Sequence, residues 1–282
     1  MARPSQTAHD HAQEVSAGER FEFGRNWAAF LKVLDEERIQ AACRSLQIML
    51  AGNLAGKRFL DAGSGSGLFS LAARRLQARV HSFDYDPHSV ACTRELRQRY
   101  YPSESDWTVE SGSVLDREYL ARLGQFDIVY SWGVVHHTGA MWQALENLAP
   151  LVAENGMLFV SIYNDQGRTS RRWGRVKKAY NSLPKELRFL VLWPAFWHLW
   201  WRRLAKDLLF GRPFRTWRES AKSRGMSPWR DVVDWVGGYP FEVAKPEQIF
   251  DFYRYRSFTL ARMTTQGGDL GCNEFVFTRN RH

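Results

Sequence analysis

A glycine-rich turn between an apolar run and a helical pattern constrains this chain more than any other feature. A short apolar run that begins at Arg58 ends in the acid Asp61, glycines follow at Gly63, Gly65 and Gly67, and the segment 68–76 has apolar residues at helical spacing. Glycine accepts a positive φ and lets a ligand approach the backbone, and a helix N-terminus offers free N–H donors. The pattern therefore predicts a strand, a tight turn and a helix that bind a nucleotide-like ligand.

An acid just before the first glycine indicates which ligand of this kind binds. Dinucleotide sites use the spacing G-x-G-x-x-G and bind a pyrophosphate at the helix N-terminus. Here the spacing is G-x-G-x-G, and Asp61 stands two residues before Gly63. A carboxylate there repels phosphate but attracts the sulfonium and ammonium groups of S-adenosylmethionine, which has no phosphate. Asp61 therefore favours a methyl donor over NAD.

A second acid follows the next predicted strand. The run from Arg79 to Phe83 is a second predicted strand, and Asp84 comes directly after it. An acid at the end of a second strand is placed to accept hydrogen bonds from both ribose hydroxyls of an adenosine. Tyr85 is then placed to pack on the adenine ring, with a plain surface tyrosine as the alternative.

In this order the residues resemble the class I S-adenosylmethionine-dependent methyltransferases, with a core similar to the ubiquinone O-methyltransferases. The resemblance covers roughly Lys57 to Tyr163 and includes the glycine loop, Asp84, the run Phe126–Trp132 and the run Gly156–Val160. It implies an α/β Rossmann-like sheet of seven strands, the last one antiparallel, with helices on both faces. It also implies a set of residues that contact S-adenosylmethionine: Asp61, Gly63, Ser64, Gly65, Asp84, Tyr85, Ser113, Val114, Ser131 and Trp132.

Two adjacent histidines follow the fourth predicted strand and are the candidate catalytic residues. Imidazole titrates near neutral pH and can take a proton from a hydroxyl as the methyl arrives. Neighbours on a helix diverge by about 100°, so we expect at most one of the two to face the pocket, His136 ahead of His137. The ubiquinone-type pattern has a glutamate at position 136, which this chain lacks. We therefore carry over no metal-assisted mechanism and predict no metal.

The acceptor is expected to meet two groups of residues. In class I methyltransferases an N-terminal segment often closes over donor and acceptor, and residues 21–56 resemble such a helical lid through Phe23, Asn26 and Trp27. The alternative is that these aromatic residues only cover the sheet. Tyr163 and Asn164 end the fifth predicted strand, where ligands bind in parallel sheets, although Asn164 is equally suited to a turn.

The composition limits the compartment and the class of protein. The chain has 282 residues and three cysteines without paired or metal-like spacing, which fits a reducing cytoplasm. The first thirteen residues lack the apolar region of a signal peptide, and no run of about 18 apolar residues occurs. We predict a cytoplasmic enzyme that does not span a membrane, with residues 1–20 disordered.

A basic, tryptophan-rich stretch is the least typical part of the chain. Residues 166–230 contain 17 Lys and Arg against three acids, and seven of the twelve tryptophans. Its apolar run from Phe189 to Trp201 contains Pro194 and precedes Arg202 and Arg203. An aromatic helix edged with arginine suits an anionic membrane surface, so peripheral contact through 189–203 is one interpretation. RNA binding and a plain cap packed on the core or in a dimer are the others.

The sequence thus predicts a core at 57–165, an inserted basic helical subdomain at 166–240 and a C-terminal helix with closing strands at 241–282. The predicted function is O-methylation of a small or lipid-linked molecule, quinone-type or saccharide, by in-line methyl transfer. A tRNA or RNA methyltransferase and a non-catalytic donor-binding module are the alternatives, and the oligomeric state stays open.

Overall fold

A computed structural model describes residues 6–103, 105–210, 212, 215–217 and 228–281. One seven-stranded sheet organises them, with strand order β3-β2-β1-β4-β5-β7-β6. The strands are β1 (Arg58–Ala62), β2 (Arg79–Asp84), β3 (Trp107–Ser111), β4 (Phe126–Trp132), β5 (Val152–Tyr163), β6 (Phe258–Thr264) and β7 (Cys272–Arg279). The first five are parallel, and β7 pairs antiparallel with both β5 and β6. This is the Rossmann-like methyltransferase sheet that the resemblance implies, and the predicted fold class is confirmed.

Helices cover both faces of the sheet. They are α1 (Gln6–Ser16), α2 (Gly24–Leu31), α3 (Glu36–Leu50), α4 (Leu68–Arg75), α5 (Pro87–Tyr100), α6 (Arg117–Leu123), α7 (Met141–Leu148), α8 (Arg168–Ser182), α9 (Phe189–Leu209), α10 (Pro228–Gly237) and α11 (Pro246–Arg254). Successive strand residues point to opposite faces, so Phe59 enters the core formed with α3, α4 and α5, and Leu60 the core formed with α7 and α11. The sheet is therefore buried on both sides, as a parallel sheet requires.

Two boundaries differ from the sequence prediction. The pattern over residues 141–152 predicts one helix, but α7 ends at Leu148, because Pro150 has no N–H to continue the helical ladder. The run Met157–Tyr163 predicts the fifth strand, but β5 begins at Val152, with a register shift opposite Phe126 and Ile128. The turn residues around Asn155, which has φ +57°, are thus accommodated as an irregularity inside the strand.

The disordered lead predicted for residues 1–20 is wrong over residues 6–16, which form α1. His11 of α1 is buried, with its ring 5.5 Å from the ring of Tyr85. Arg20 also stacks on Tyr85, 4.9 Å from the ring centroid. Contact with the protein core therefore stabilises a polar segment that has little helical signal of its own. Residues 1–5 of the predicted lead lie outside the described residues.

Helices α8, α9 and α10 form a third apolar cluster beside the sheet. Its buried members are Phe21, Trp173, Tyr180, Leu192, Ala195, Phe196, Trp200, Val232 and Val236. Helix α9 continues through Pro194, which lies near its N-terminal end. Residues 211, 213–214 and 218–227 of the predicted insertion lie outside the described residues, so the division at 166–240 stays a prediction.

Candidate active site

The glycine loop after β1 lies at the edge of the sheet where the parallel strands end. Gly63 has φ +88° and Gly65 φ +53°, a region that favours glycine. A Cβ on Gly63 would lie 2.3 Å from Val134 Cγ1, so this position has no room for a side chain. The N–H groups of Gly63 and Ser64 both donate to the Phe83 carbonyl at the end of β2. The loop is therefore held against the second strand.

Asp84 connects this loop to the end of β2. Its carboxylate accepts the N–H of Gly65 at 2.8 Å and the N–H of Asp86 at 2.9 Å. Burial raises the pKa of Asp84 to about 7. A carboxylate offers about four lone-pair positions, so two remain for further donors. The ends of β1 and β2 thus present the acid that the sequence places there for a ribose.

Asp61 is more enclosed than the sequence suggested. It is buried at the end of β1 and accepts a hydrogen bond from the Ser70 hydroxyl at 2.5 Å. Burial is the main cause that raises its pKa, to about 7, and the Ser70 hydrogen bond opposes this. A cation in front of Asp61 would stabilise its ionised form.

Four other predicted donor contacts are engaged within the protein. Ser113 accepts the Leu115 N–H, and the Val114 carbonyl accepts from the Asn147 amide. The Ser131 hydroxyl donates to the Ala62 carbonyl, which joins β4 to β1. Half-exposed Trp132 donates through its indole to Glu274 at 2.7 Å. Of these four, only Trp132 has a side chain that is substantially open to solvent. The other three would contact S-adenosylmethionine through their backbone or after a side-chain rearrangement.

The residues at the ends of β1, β2 and β4 fit S-adenosylmethionine. Gly133, after β4, has φ +74° and no atom within 4 Å of where a Cβ would be, so open space borders the end of the strand. Asp84 has free acceptor capacity for a diol, Asp61 supplies a negative charge, and the Ser64 hydroxyl is tied back to Thr93 at 2.9 Å. These residues would hold a nucleoside with a cationic tail, and no diphosphate is favoured beside two carboxylates.

The two histidines lie in a 3₁₀ turn, Val135–His137, and both are buried. Their ring centroids lie 4.0 Å and 5.4 Å from that of Tyr163. The tight turn and the neighbouring Tyr163 bring both rings together, and which of the two faces the acceptor pocket stays a prediction. Burial is the main cause that lowers the pKa of each histidine, that of His137 to about 3, so both are neutral at pH 7.

The hydrogen bonds of each imidazole indicate which of its two nitrogens has a free lone pair. His137 Nδ1 lies 2.7 Å from the Pro240 carbonyl, so that nitrogen carries the proton and Nε2 has the lone pair. The ring of His136 bonds the Ser161 backbone, but its Nδ1 is buried with no hydrogen-bond partner among the described residues. Buried nitrogen atoms without a partner are rare in folded proteins. Among the described residues, His136 Nδ1 is therefore an unsatisfied acceptor inside the protein.

The predicted lid residues contact both the turn with the two histidines and the glycine loop. The Phe23 ring is 4.8 Å from the ring of His137, and Trp27 lies against Gly65, where a Cβ would be 3.2 Å from the indole nitrogen. Asn26 donates to Asp234 of α10. By contrast, α3, the second helix of the predicted lid, packs into the core against α4. Within the predicted lid, the segment around α2 thus contacts these residues, whereas α3 does not cover them.

Asn164 is used inside the protein. Its amide donates to the carbonyls of Gly267 and Asp269, and its oxygen accepts from Asn273. These bonds hold the loop between β6 and β7, which agrees with the turn role that the sequence left open. Tyr163, by contrast, lies between the histidines and the ring of Trp235, 5.4 Å away.

A buried lysine beside Tyr163 escaped the sequence analysis. Lys177 of α8 is fully buried and donates to the Trp235 carbonyl, near the C-terminal end of α10. Its ammonium lies 4.3 Å from the Trp235 ring and 4.7 Å from that of Phe241. Burial lowers its pKa to about 7, which the charge of Asp234 partly opposes. The available signal was a lysine at i+4 from Trp173, on the otherwise buried stripe of α8.

Comparison with known proteins agrees with this geometry. A family model described as a methyltransferase domain matches residues 34–216. A ubiquinone biosynthesis O-methyltransferase of Xanthomonas oryzae pv. oryzae is 33% identical over 112 residues, which are 40% of this chain and 45% of that protein. Its counterpart in Xanthomonas euvesicatoria pv. vesicatoria is 33% identical over 111 residues, 39% and 45% of the two chains. The chain thus matches less than half the length of these relatives.

Solved structures share the fold at low identity. The magnesium protoporphyrin IX methyltransferase of Synechocystis PCC 6803, with bound S-adenosylhomocysteine, aligns with a TM-score of 0.51 at 16% identity, over 86% of this chain and 83% of that one. PKMT2 of Rickettsia typhi, in complex with S-adenosylhomocysteine, aligns with a TM-score of 0.54 at 14% identity, over 86% and 54% of the two chains.

Proposed function

The chain belongs to the methyltransferase-domain family and is a class I S-adenosylmethionine-dependent methyltransferase, and we propose that it methylates an oxygen of a small or lipid-linked acceptor. The observation that carries the choice of oxygen is the buried, unpartnered Nδ1 of neutral His136. A hydroxyl is a donor that suits this lone pair, and loss of its proton makes the oxygen a nucleophile. The similarity to ubiquinone biosynthesis O-methyltransferases supports a quinone-type acceptor, with a saccharide as the second choice.

Each residue has a separate role in this proposal. S-adenosylmethionine, when bound, supplies an electrophilic methyl on a sulfonium. Asp84 binds the ribose and Asp61 faces the positive charge, both through ionised carboxylates. His136 Nδ1 takes the acceptor proton, with His137 Nε2 as the alternative base, and Tyr163 and Phe23 form apolar walls. Exclusion of water by Trp27 and Phe23 would favour close approach of the acceptor oxygen and the methyl carbon.

Isotopically labelled methyl transfer into fractionated cell extract tests this proposal. With donor labelled by ¹³C at the methyl group, we expect label in the lipid or small polar fraction, with the chemical shift of an O-methyl carbon. Label in RNA would favour the RNA methyltransferase. An N-methyl or C-methyl signal would remove the oxygen assignment, and donor binding without transfer to any fraction would favour a non-catalytic module.

The proposed partners are a small-molecule or lipid-linked acceptor and, through residues 189–203, a membrane surface. Three tryptophans of α9 support the second partner because their rings are about half exposed: Trp193, Trp197 and Trp201. RNA grooves interleave aromatic residues with cations, whereas these tryptophans follow one another along an apolar face.

A further inference from the structure

Helix α9 has one face packed in the protein and another apolar face directed to solvent. Leu192, Phe196 and Trp200 are buried against α8 and α10. A second row lies beside this contact, with the Trp193 ring at its margin 5.3 Å from the ring of Trp229 in α10. We refer to this row as the α9 stripe: Leu190, Trp193, Trp197, Trp201 and Leu208, each between 49% and 72% exposed. At about 100° per residue, these five positions fall within about 80° of one another around the helix. They form one continuous strip.

The α9 stripe contains no charged residue, and further exposed apolar residues lie beside it at both ends of the helix. Phe189 precedes it and Leu209 and Phe210 follow it, all at least half exposed. Contiguous exposed apolar surface of this kind is uncommon on monomeric proteins and indicates a partner. Helix α9 has 21 residues, so the strip is about 30 Å long. Within the described residues no helix is long and apolar enough to cross a membrane, so α9 is suited to lie on a surface.

The charged residues around the stripe indicate which kind of surface the stripe binds. Residues 168–209 contain eleven Lys and Arg and two acids, and one of the acids, Asp207, is buried and bonded to Thr216. Arg202 stacks on Trp201, 5.6 Å from the ring centroid. Helix α8, which packs on α9, has one exposed row of cations: Arg168, Arg171, Arg172, Arg175 and Lys178. Tryptophan beside cations, without exposed acids except Glu186, is complementary to the interface of an anionic bilayer.

Helix α9 is connected to the proposed acceptor side of the active site through buried and partly buried rings of the third apolar cluster. His198 of α9 contacts Trp173 at 6.1 Å, Trp173 contacts Trp235 at 5.5 Å, and Trp235 contacts Tyr163 at 5.4 Å. Tyr163 in turn lies 4.0 Å from His136. Three ring contacts thus connect α9 to the tyrosine beside the proposed base.

We infer that the α9 stripe binds an anionic lipid bilayer and that the acceptor is an amphiphilic molecule taken from that bilayer. The membrane contact rests on the exposed face alone, whereas the second half of the inference rests on the proposed function. Indole rings and leucine side chains enter the interfacial region, while the arginines and lysines of α8 and α9 meet lipid phosphates. The apolar cluster of α8, α9 and α10 then holds the active site beside the lipid.

Vesicle flotation of the full chain, without donor or acceptor, tests the membrane contact. We expect binding to mixed phosphatidylglycerol and phosphatidylcholine vesicles, loss of that binding at high salt, and little binding to pure phosphatidylcholine. The double variant Trp197→Ser/Trp201→Ser should bind at least about tenfold more weakly, since two indoles no longer leave water. Trp142→Ser, which changes a partly exposed tryptophan on α7, is the matched control and should bind as the wild type does.

Three results would overturn the membrane contact. These are no flotation of the wild type, equal flotation with neutral vesicles, and equal binding by the double variant. Self-association in sedimentation that the double variant abolishes, without flotation, would assign the stripe to a second copy of the chain. Methyl label in a water-soluble product would overturn only the membrane origin of the acceptor, whereas flotation without any methyl transfer would leave the contact and remove the proposed function.

Discussion

We propose that the Asp84 carboxylate both holds the glycine loop and binds the ribose. Its oxygens hold the Gly65 and Asp86 N–H groups, and burial raises its pKa to about 7. A ribose is bound more strongly by the ionised form, because its hydrogen bonds are then charge-assisted. Affinity for S-adenosylhomocysteine should therefore fall as the pH decreases through 7 and level off above about pH 8.

Calorimetric titration over this pH range measures the effect. Asp61 also has a pKa raised to about 7, so Asp84→Asn is the necessary control. A variant that retains the full pH dependence would assign it to Asp61, and a wild-type affinity independent of pH would contradict the ribose role of an ionised Asp84.

His136 and His137 can be separated because each has a different free nitrogen. His136→Ala removes the unpartnered Nδ1 and should lower kcat by about 10²-fold to 10⁴-fold, the usual contribution of a general base, with donor affinity unchanged. His137→Ala should lower kcat less if the role of His137 is only to hold the segment around Pro240. Single-turnover kinetics with donor pre-bound measures both, and the opposite order of effects would transfer the base to His137 Nε2.

Lys177 makes the stability of the fold depend on pH in a predictable direction. Its pKa is lowered to about 7 in the folded protein, so between pH 7 and 10 the unfolded chain binds more protons than the folded one. The free energy of unfolding should then rise with pH through this window, by at most about 1.4 kcal/mol per pH unit from this residue.

Lys177→Met isolates that contribution in urea unfolding at several pH values. We expect the stability of the wild type relative to the variant to increase from pH 7 upward. Lys178→Met changes the exposed neighbour on the same helix and should show no such trend. A constant difference between wild type and Lys177→Met would mean that the lysine stays charged when buried.

At the scale of elements, we propose that α2 is the part of the N-terminal segment that covers the site. Trp27 lies against Gly65, so its indole closes the glycine loop. Trp27→Ala should accelerate dissociation of S-adenosylhomocysteine by about tenfold, equivalent to about 1.4 kcal/mol. Stopped-flow displacement measures the rate, with Trp142→Ala on α7 as the control. An unchanged rate would mean that α2 only covers the sheet.

The sequence predicts the elements around the sheet better than the contacts of the site. Strand β4 and the turn at Gly63 follow from local signals, namely an apolar run and glycines that only a tight turn requires. Helix α1 could not be predicted, because its order depends on contacts with Tyr85 and neighbouring residues far along the chain. The same holds for Lys177, whose burial depends on Trp235 and Phe241. Periodicity marks a buried helix face but not the charged residue that the tertiary structure tolerates there.

At the scale of the whole molecule, three apolar clusters surround the proposed site. Two of them cover the faces of the sheet and fix the strand ends that carry Asp61, Asp84 and His136. The third joins α8, α9 and α10 and borders the acceptor side through Tyr163. The proposed donor site thus lies on the most regular part of the fold, and we propose that the helices outside it select the acceptor.

The measurement that tests this account most directly is calorimetric titration of S-adenosylhomocysteine into the wild type and Asp84→Asn at pH 8. We predict that the wild type binds a single equivalent, and that the variant binds at least about tenfold more weakly, since a charge-assisted hydrogen bond contributes about 1.5–3 kcal/mol. Its thermal unfolding should show that the fold is retained. Absence of binding by the wild type, or equal affinity of the two proteins, would contradict the assignment of this sheet edge as the methyl-donor site.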